Sequence, residues 1–408
     1  MTHCASWWRD QEYFVDHFVG DDITTGNLIS TNQQSASRWR HFIFAVITVS
    51  LSVVVCLGSA EIVLRFLPVP SGPHAEPVDA KNPVFHYTPD SDVTFSHGWN
   101  FEMVNHRRVN NVGWVNDQDY KQDDQTPLLA IIGDSYVAAL MVPYTKTLYG
   151  RLARELDGRL RVYSFGADGA PLSQYLIWAG HAVREYGARA VVINVVGNDF
   201  DESHVAYHNG EGWWVYFPGS SDGNLRLRLI EHRPSWLRSV VYANSSVARY
   251  LFFNLRLGTT WMQMRSFFFG SPALATPRYA GNTAADVDPP RVRASLEAID
   301  AVFRDLPTTV GLPPDRILFT VDGFRYPDAE AEGKETYFDL MRRAFISKAE
   351  LLGYEVIDLD PRFFEHYAAH AQRFEYPHDG HWNEIGHALA AKAVLESRLV
   401  GRLVDRQP

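Results

Sequence analysis

The sequence predicts an α/β protein in which a parallel five-stranded sheet lies between two layers of helices. Short apolar runs with the composition of buried strands alternate with longer stretches that carry apolar residues at helical spacing. This alternation is typical of parallel strands joined by helices that cover both faces of the sheet. A third observation, an uncharged run of 19 residues near the N-terminus, predicts one transmembrane helix ahead of this domain.

The predicted elements alternate in order along the chain. The strands are the apolar runs 128–132, 160–163, 191–196, 317–321 and 356–359. The helices are the amphipathic stretches 148–156, 173–186, 296–306, 335–352 and 385–399. Together they predict a three-layer α/β/α sandwich.

Residues 201–290 interrupt this alternation and are rich in Trp, Tyr and Phe, which indicates an insertion in the domain. Four interpretations stay open. Trp213, Trp214 and their neighbours could form a platform for sugar rings or a lid over the site. They could instead pack a small core of their own. The segment 261–269 could also touch a bilayer surface.

Composition excludes several classes of protein. The 408 residues include 38 Lys and Arg against 48 Asp and Glu, giving a net charge of -10, which argues against a nucleic-acid partner. The two cysteines, Cys4 and Cys56, both precede residue 60. The rest of the chain therefore has no thiol for a disulfide framework, a metal site or a nucleophile.

The uncharged run 42–60 would span about 28 Å as a helix, which matches the apolar thickness of a bilayer. Arg38 and Arg40 precede it and favour a cytoplasmic N-terminus, with the main domain periplasmic or extracellular. We expect a cytoplasmic tail over 1–41, an anchor over 42–67, a proline-rich linker over 68–104 and a catalytic domain over 105–408. A buried core helix and a cleaved signal peptide are the alternatives, although a 40-residue segment before the apolar run is long for a signal peptide.

Four loops at predicted strand ends hold residues suited to acyl transfer. They are 133–136, 164–169, 197–199 and 378–383, and functional groups gather at such ends in open parallel sheets. Ser135 could serve as nucleophile, His381 as its base, and Asp379 could fix the imidazole. Each motif alone is also a common turn or cap, and an isolated histidine is often structural. Their joint placement favours a site.

These blocks resemble the Ser, Gly, Asn and His blocks of SGNH (GDSL) hydrolases over residues 105–400, with the insertion outside the resemblance. The resemblance implies a flavodoxin-like fold and a Ser–His–Asp triad that acts on esters: Ser135, His381 and Asp379. It also implies an oxyanion hole formed by Ser135, Gly169 and Asn198, with Gly166 a less suitable donor.

The acid differs in spacing from the family pattern. SGNH hydrolases usually place it three residues before the histidine, where this chain has His378, whereas Asp379 precedes His381 by two. The Asp-x-His-Trp sequence over 379–382 is similar to that of alginate O-acetylation enzymes, which use a different chain order. The segment 110–114 also resembles, less specifically, membrane-tethered members of the SGNH superfamily.

No metal or cofactor is expected. His378, His381 and His387 lie near Asp379 and Glu384, but their spacing matches no familiar zinc motif. We expect His387 on the surface of the last helix.

Three functions remain open at this stage. The first is a membrane-anchored esterase that removes an O-acyl group, most simply acetyl, from a glycan or a related small ester. The second is an O-acyltransferase with the same triad, working with envelope polysaccharide machinery. The third is a non-catalytic, tethered glycan-binding protein on the same fold.

Overall fold

The computed structural model describes residues 27–219, 223–255, 257, 281–283, 285–377 and 379–405. Contacts divide the chain into two units, Met1–Ala60 and Glu61–Pro408. The strands are β1 (Ser91–His97), β2 (Met103–Val109), β3 (Leu128–Gly133), β4 (Arg161–Gly166), β5 (Ala188–Val195), β6 (Trp214–Pro218), β7 (Leu225–Leu229), β8 (Ile317–Val321), β9 (Glu355–Asp358), β10 (Glu375–Tyr376) and β11 (Asp379–Trp382).

The helices are numbered in the same way. They are α1 (Asn27–Leu64), α2 (Ser135–Ala138), α3 (Leu148–Glu155), α4 (Leu172–Tyr186), α5 (Asp199–Glu202), α6 (Trp236–Asn244), α7 (Ser246–Arg249), α8 (Pro289–Val310), α9 (Pro327–Gly333), α10 (Tyr337–Leu351), α11 (Asp360–His370), α12 (Glu384–Leu395) and α13 (Arg398–Asp405).

Helix α1 contains the predicted membrane segment. Within its stretch Arg38–Leu64, the most apolar window of 18 residues has a mean hydropathy of 2.4, and none of that window is buried. By length and composition this stretch could cross a membrane, a test that signal sequences also pass. A weakly ordered tail was expected over 1–41. Its first 26 residues lie outside the described residues, and the rest, from Asn27 onward, is part of helix α1.

The central sheet has the strand order β4-β3-β5-β8-β9, and every neighbouring pair is parallel. This confirms the predicted five-stranded parallel sheet. Strand β8 has the predicted bounds, whereas β4 continues to Gly166 because Ser164, Phe165 and Gly166 pair with Ile131, Ile132 and Gly133. Side-chain composition did not indicate this extension, since the added residues are of mixed polarity.

Two apolar cores lie on opposite faces of the sheet. Leu128, Ala130 and Ile132 belong to the core shared with α4, α8 and α10. Leu129 and Ile131, which point the other way from the same strand, belong to the core shared with α3 and α12. The alternation along β3 therefore produces the predicted helix–sheet–helix sandwich.

The segment predicted as an extended, proline-rich linker, 68–104, packs on the domain. Val78, Phe85 and Tyr87 are buried in the main core, and β1 pairs with β2 as an antiparallel hairpin. Phe85 stacks on Trp213 with ring centroids 4.2 Å apart. The prolines predict an extended chain, whereas the apolar residues between them bury surface against the domain, which stabilises the packed state.

The insertion begins with α5 and the antiparallel hairpin of β6 and β7. Trp213 and Tyr216 are buried in the main core beside α4, so they do not form an exposed platform or a separate core. Trp214 is partly buried and donates from its indole nitrogen to the carbonyl of Pro83. The segment 261–269, for which membrane contact was considered, lies outside the described residues.

Candidate active site

The carboxyl ends of β3 and β5 lie side by side at the centre of the sheet. From β3 the chain first adds β4 on one side and then β5 on the other, so the order reverses between β3 and β5. Open parallel sheets bind ligands in the crevice outside such a reversal. Ser135 follows β3, and Asn198 follows β5.

Ser135 is the first residue of the short helix α2. Asp134 precedes it as N-cap, and its carboxylate accepts the N–H of Tyr136 at 2.9 Å. Close packing of α2 against β4 requires a glycine at 166, because a Cβ there would lie 2.9 Å from the Cβ of Val137. Gly166 thus has a packing role at the base of the nucleophile loop.

The structure joins Ser135, His381 and Asp379 by hydrogen bonds. The Nε2 of His381 lies 2.7 Å from the Oγ of Ser135. On the other side of the ring, Nδ1 of His381 is hydrogen-bonded to the carboxylate of Asp379. Side-chain exposure is 23% for His381 and 6% for Asp379, so the base stays accessible while the acid is almost buried.

The short spacing between Asp379 and His381 follows from local structure. Both residues lie on strand β11, where side chains two positions apart point to the same side. A carboxylate at 379 can therefore reach the imidazole at 381 without an intervening helical turn. His378, at the more usual family position, lies outside the described residues.

Burial and neighbouring carboxylates shift the pKa of His381 in opposite directions. Burial lowers the pKa of His381, but the hydrogen bond and charge of Asp379, together with the charges of Asp134 and Asp168, outweigh it and raise this pKa above the ordinary 6.5. The imidazolium that forms when His381 accepts a proton is thus stabilised from several directions.

The pKa values of Asp134 and Asp168 are also raised. Burial, opposed by its hydrogen bond from the Tyr136 N–H and by the charge of His381, raises the pKa of Asp134 to about 6. The Oγ of Ser135 also lies 3.3 Å from Asp134. Asp168 is exposed to solvent, but the protein atoms around its carboxylate desolvate the charged form and raise its pKa, against the charge of His381.

The side chain of Asn198 is held by two neighbours other than the triad. Its Nδ2 donates to Glu202 at 3.1 Å, and its Oδ1 accepts from Asn282 at 3.0 Å. Burial raises the pKa of Glu202 to about 7. A primary amide has two N–H groups, of which one donates to Glu202; among the described residues no acceptor is seen for the second.

Gly169 lies in the turn that follows β4, directly after Asp168. Its φ is +76°, in the left-handed region that favours glycine, and a Cβ there would meet no atom within 4 Å. The backbone conformation, and not crowding, explains the glycine at this position.

A cavity of about 920 Å³ adjoins the Asp168 side of the site. Its wall includes Asp168 and Leu140 together with residues of the segment 70–75 and of strand β1. Much of the remaining wall is aromatic, with contributions from Phe85, Tyr87, Phe95, Tyr242, Phe252 and Phe253. A mixed aromatic and polar cavity suits a ligand that has both apolar faces and hydroxyl groups.

Sequence reasoning missed three residues at this edge of the sheet. Asp322 follows β8, Arg325 lies three residues later, and Tyr136 follows Ser135; hydrogen bonds link all three. The Asp322-Gly323 pair after the apolar run 317–321 was a usable signal, because polar residues also follow the three preceding strands of the sheet.

His387 was expected on a helix surface, but the structure buries it. Its exposure is 1%, and its Nδ1 accepts the N–H of Leu148 at 3.1 Å. Burial lowers its pKa to about 3, so the ring is neutral and acts as an acceptor between α12 and α3. Among the residues that the structure describes, no group of three or more His, Cys, Asp or Glu side chains is arranged to hold a metal ion.

No protein-family model matches the chain, and no curated protein matches its sequence. Solved structures similar to it include LAE5, an alpha/beta hydrolase enzyme from the metagenome of Lake Arreo, Spain, at 17% identity and a TM-score of 0.37, covering 68% of this chain and 96% of that one. A lipolytic protein of the G-D-S-L family from Veillonella parvula has 12% identity and a TM-score of 0.33, covering 67% and 98%.

The acetyl xylan esterase AlAXEase is also similar, at 12% identity and a TM-score of 0.35, covering 65% of this chain and 97% of its own.

Proposed function

We propose that this chain is a serine esterase of the SGNH type that removes an O-acyl group, most simply acetyl, from a glycan or a related ester. The observation that carries the proposal is the continuous line of hydrogen bonds from Asp379 through His381 to the Oγ of Ser135. A serine hydroxyl becomes nucleophilic when an oriented base accepts its proton, and this line supplies both the base and its orientation.

In the proposed reaction, the Oγ of Ser135 attacks the ester carbonyl carbon while His381 accepts its proton. The tetrahedral intermediate then expels the alcohol, which takes the proton from His381, and an acyl-serine remains. Water attacks this acyl group with the same base, releasing the carboxylic acid and restoring the serine. Asp379 keeps the imidazole in place and stabilises its cationic form.

The intermediate carries negative charge on the former carbonyl oxygen, and donors must face that oxygen. We assign this role to the backbone N–H groups of Ser135 and Gly169 and to the free N–H of Asn198. Three features support this assignment. Ser135 begins a helix, Gly169 has the left-handed backbone of a tight turn, and Asn198 is fixed by Glu202 and Asn282 at the end of the neighbouring strand.

A glycan ester suits the cavity beside Asp168. Aromatic rings pack against the apolar faces of sugars, and a carboxylate accepts hydrogen bonds from sugar hydroxyls. We place the domain outside the cytoplasm, tethered by the apolar stretch Arg38–Leu64 with Arg38 and Arg40 on the cytoplasmic side.

The test compares the full chain, solubilised in detergent, with its Ser135→Ala variant. Both are treated with a fluorophosphonate probe and assayed on p-nitrophenyl acetate. We expect labelling and turnover in the wild type and neither in the variant, with equal melting temperatures. Ser397→Ala, which alters a serine in the turn before α13, serves as the matched control and should label like the wild type. A folded wild type that does not label would refute the proposal and leave a tethered binding protein.

An O-acyltransferase would use the same first half-reaction, with a sugar hydroxyl in place of water in the second. The Asp-x-His-Trp sequence over 379–382 is the feature that favours it. Adding an oligosaccharide acceptor to the assay and measuring its acylation by mass spectrometry separates the two activities.

A further inference from the structure

Arg325 and Asp322 form an ion pair at the base of the site, and both side chains are 0% exposed. The Nη2 of Arg325 donates to one carboxylate oxygen of Asp322 at 2.6 Å, and its Nε donates to the other at 3.2 Å. A buried charge destabilises a fold unless it is paired and its remaining hydrogen-bonding groups are satisfied. The other N–H groups of Arg325 must therefore also find hydrogen-bond acceptors.

Those donors reach both sides of the triad. The Nη1 of Arg325 donates to the carbonyl of Gly380 at 2.8 Å, and Nη2 also donates to the hydroxyl of Tyr136 at 2.9 Å. Gly380 separates Asp379 from His381, and Tyr136 follows Ser135. One guanidinium thus binds the segment that carries the base and the segment that carries the nucleophile.

Asp322 extends the same arrangement. Its carboxylate accepts the indole N–H of Trp382 at 3.1 Å. Trp382 in turn packs edge-on against the ring of Tyr136, with centroids 5.2 Å apart. The segment is therefore held on both sides of His381, at the backbone carbonyl of Gly380 by Arg325 and at the indole of Trp382 by Asp322.

The loop that carries Arg325 is itself strained and tightly held. Arg325 has a φ of 65°, a left-handed conformation that residues with a side chain rarely adopt. Its N–H donates to Asp360 at 2.8 Å, and Arg342 pairs with Asp360 at 3.1 Å. Arg342 also donates to the carbonyl of Asp322 at 3.2 Å, which fixes the start of the loop.

We propose that Arg325, oriented by Asp322, is a positioning residue that sets the place of the Asp379–His381 segment relative to Ser135. This inference rests on the proposed esterase function. Arg325 touches none of the reacting atoms and acts through Gly380 and Tyr136. Because acyl transfer requires the base within hydrogen-bond reach of the nucleophile, a small displacement of either segment lowers the rate without removing a catalytic group.

Three variants of the full chain in detergent test the proposal. Arg325→Lys keeps the charge but cannot form the same planar set of hydrogen bonds. The pair Arg325→Met/Asp322→Asn removes both charges together, so that neither is left buried alone, and keeps an acceptor for Trp382. Arg161→Lys is the matched control, because Arg161 also donates to several backbone carbonyls, those of Thr126, Lys121 and Asp124, at the amino-terminal end of β4.

Three readouts are compared: melting temperature, kcat and KM on p-nitrophenyl acetate, and backbone hydrogen exchange in peptides covering 134–138 and 379–383. We expect both site variants to lose at least about 10-fold in kcat, with KM within about 2-fold of the wild type. Exchange in the two peptides should be faster. Arg161→Lys should lower the melting temperature without changing kcat or exchange there.

The double variant separates positioning from stability. If Arg325 only stabilises the fold, a double variant with the melting temperature of the wild type should also have its kcat. A double variant that melts like the wild type and keeps its kcat overturns the proposal, as does a lowered kcat without faster exchange in either peptide. Absence of turnover in the wild type would refute the esterase function instead, and the exchange comparison would then decide alone whether Arg325 holds the two segments.

Discussion

The hydroxyl of Tyr136 donates a hydrogen bond of 3.0 Å to the carbonyl of Gly380, although 244 positions separate the two residues. Tyr136 is the neighbour of Ser135, and Gly380 is the neighbour of His381. This bond therefore links the side chain that follows the nucleophile to the backbone carbonyl that precedes the base. The ring of Tyr136 also lies 4.9 Å from that of His381, so the same side chain limits movement of the imidazole.

Replacing Tyr136 with Phe removes this bond and the one that the hydroxyl accepts from Arg325, and leaves the ring contacts in place. Because Arg325 still donates directly to Gly380 and to Asp322, we expect a modest loss, about 2- to 10-fold in kcat, comparable to the net contribution of the bond to Gly380. Steady-state kinetics on p-nitrophenyl acetate measure it. Tyr216→Phe, which removes a hydroxyl bonded to Asp305 on α8, is a matched control for which we expect unchanged kcat. A loss above 100-fold would contradict a purely positional role for Tyr136.

The sheet, and the meeting of Ser135 with His381 and Asp379, were predictable from sequence for a common reason. Apolar runs such as 317–321 are read from composition alone, and parallel strands bring their carboxyl ends to one edge. The Arg325–Asp322 pair was not predictable, because its significance depends on a tertiary contact with Gly380. The packed state of 68–104 was missed because its prolines indicate extension but not what the extended chain lies against.

Asn198→Ala tests the third proposed donor of the oxyanion hole. Loss of one such donor typically lowers kcat by about 100- to 1000-fold, or about 2.7–4 kcal/mol, while substrate binding changes little. Steady-state kinetics at several substrate concentrations separate kcat from KM. Asn282→Ala removes a hydrogen-bond partner of the Asn198 side-chain oxygen and leaves the amide of Asn198 in place. We expect it to lower kcat less than Asn198→Ala does. An Asn198→Ala enzyme with wild-type kcat would exclude this side chain from the oxyanion hole.

The pH dependence of the rate follows from the raised pKa of His381. The base is inactive when protonated, so a raised pKa moves the acid limb of kcat/KM upward. We expect the rate to begin falling at a pH above the ordinary histidine value of 6.5 as the solution is acidified. A pH–rate profile between pH 5 and 9 measures the limb.

Asp168→Asn tests the cause of this shift. The charge of Asp168 contributes to raising the pKa of His381, so its removal should move the acid limb to lower pH. Glu211→Gln removes the same charge from the wall of the same cavity and should leave the limb in place, because Glu211 pairs with His232 instead. Equal shifts in the two variants would indicate a general effect of net charge and would contradict a specific action of Asp168.

Glu202→Gln should stabilise the protein in a pH-dependent way. Burial raises the pKa of Glu202 from 4.5 to about 7, so the folded state holds this proton more tightly than the unfolded state. Stability is therefore lost as the pH rises from about 4.5 to about 7, and the loss is constant above that range. At about 1.36 kcal/mol per pKa unit the cost is about 3 kcal/mol above pH 7.

Glutamine keeps an acceptor for Asn198 and has no charge to desolvate. Thermal melting of wild type and Glu202→Gln at pH 4.5 and pH 8 should give equal midpoints at the lower pH and a higher midpoint for the variant at pH 8. Glu365→Gln, on α11, removes a carboxylate outside the site and should show no such difference. If the wild type and Glu202→Gln melted alike at pH 8, the carboxylate of Glu202 would not be desolvated in the folded protein. The ionised side chain would then bind Asn198 without lowering the stability of the fold.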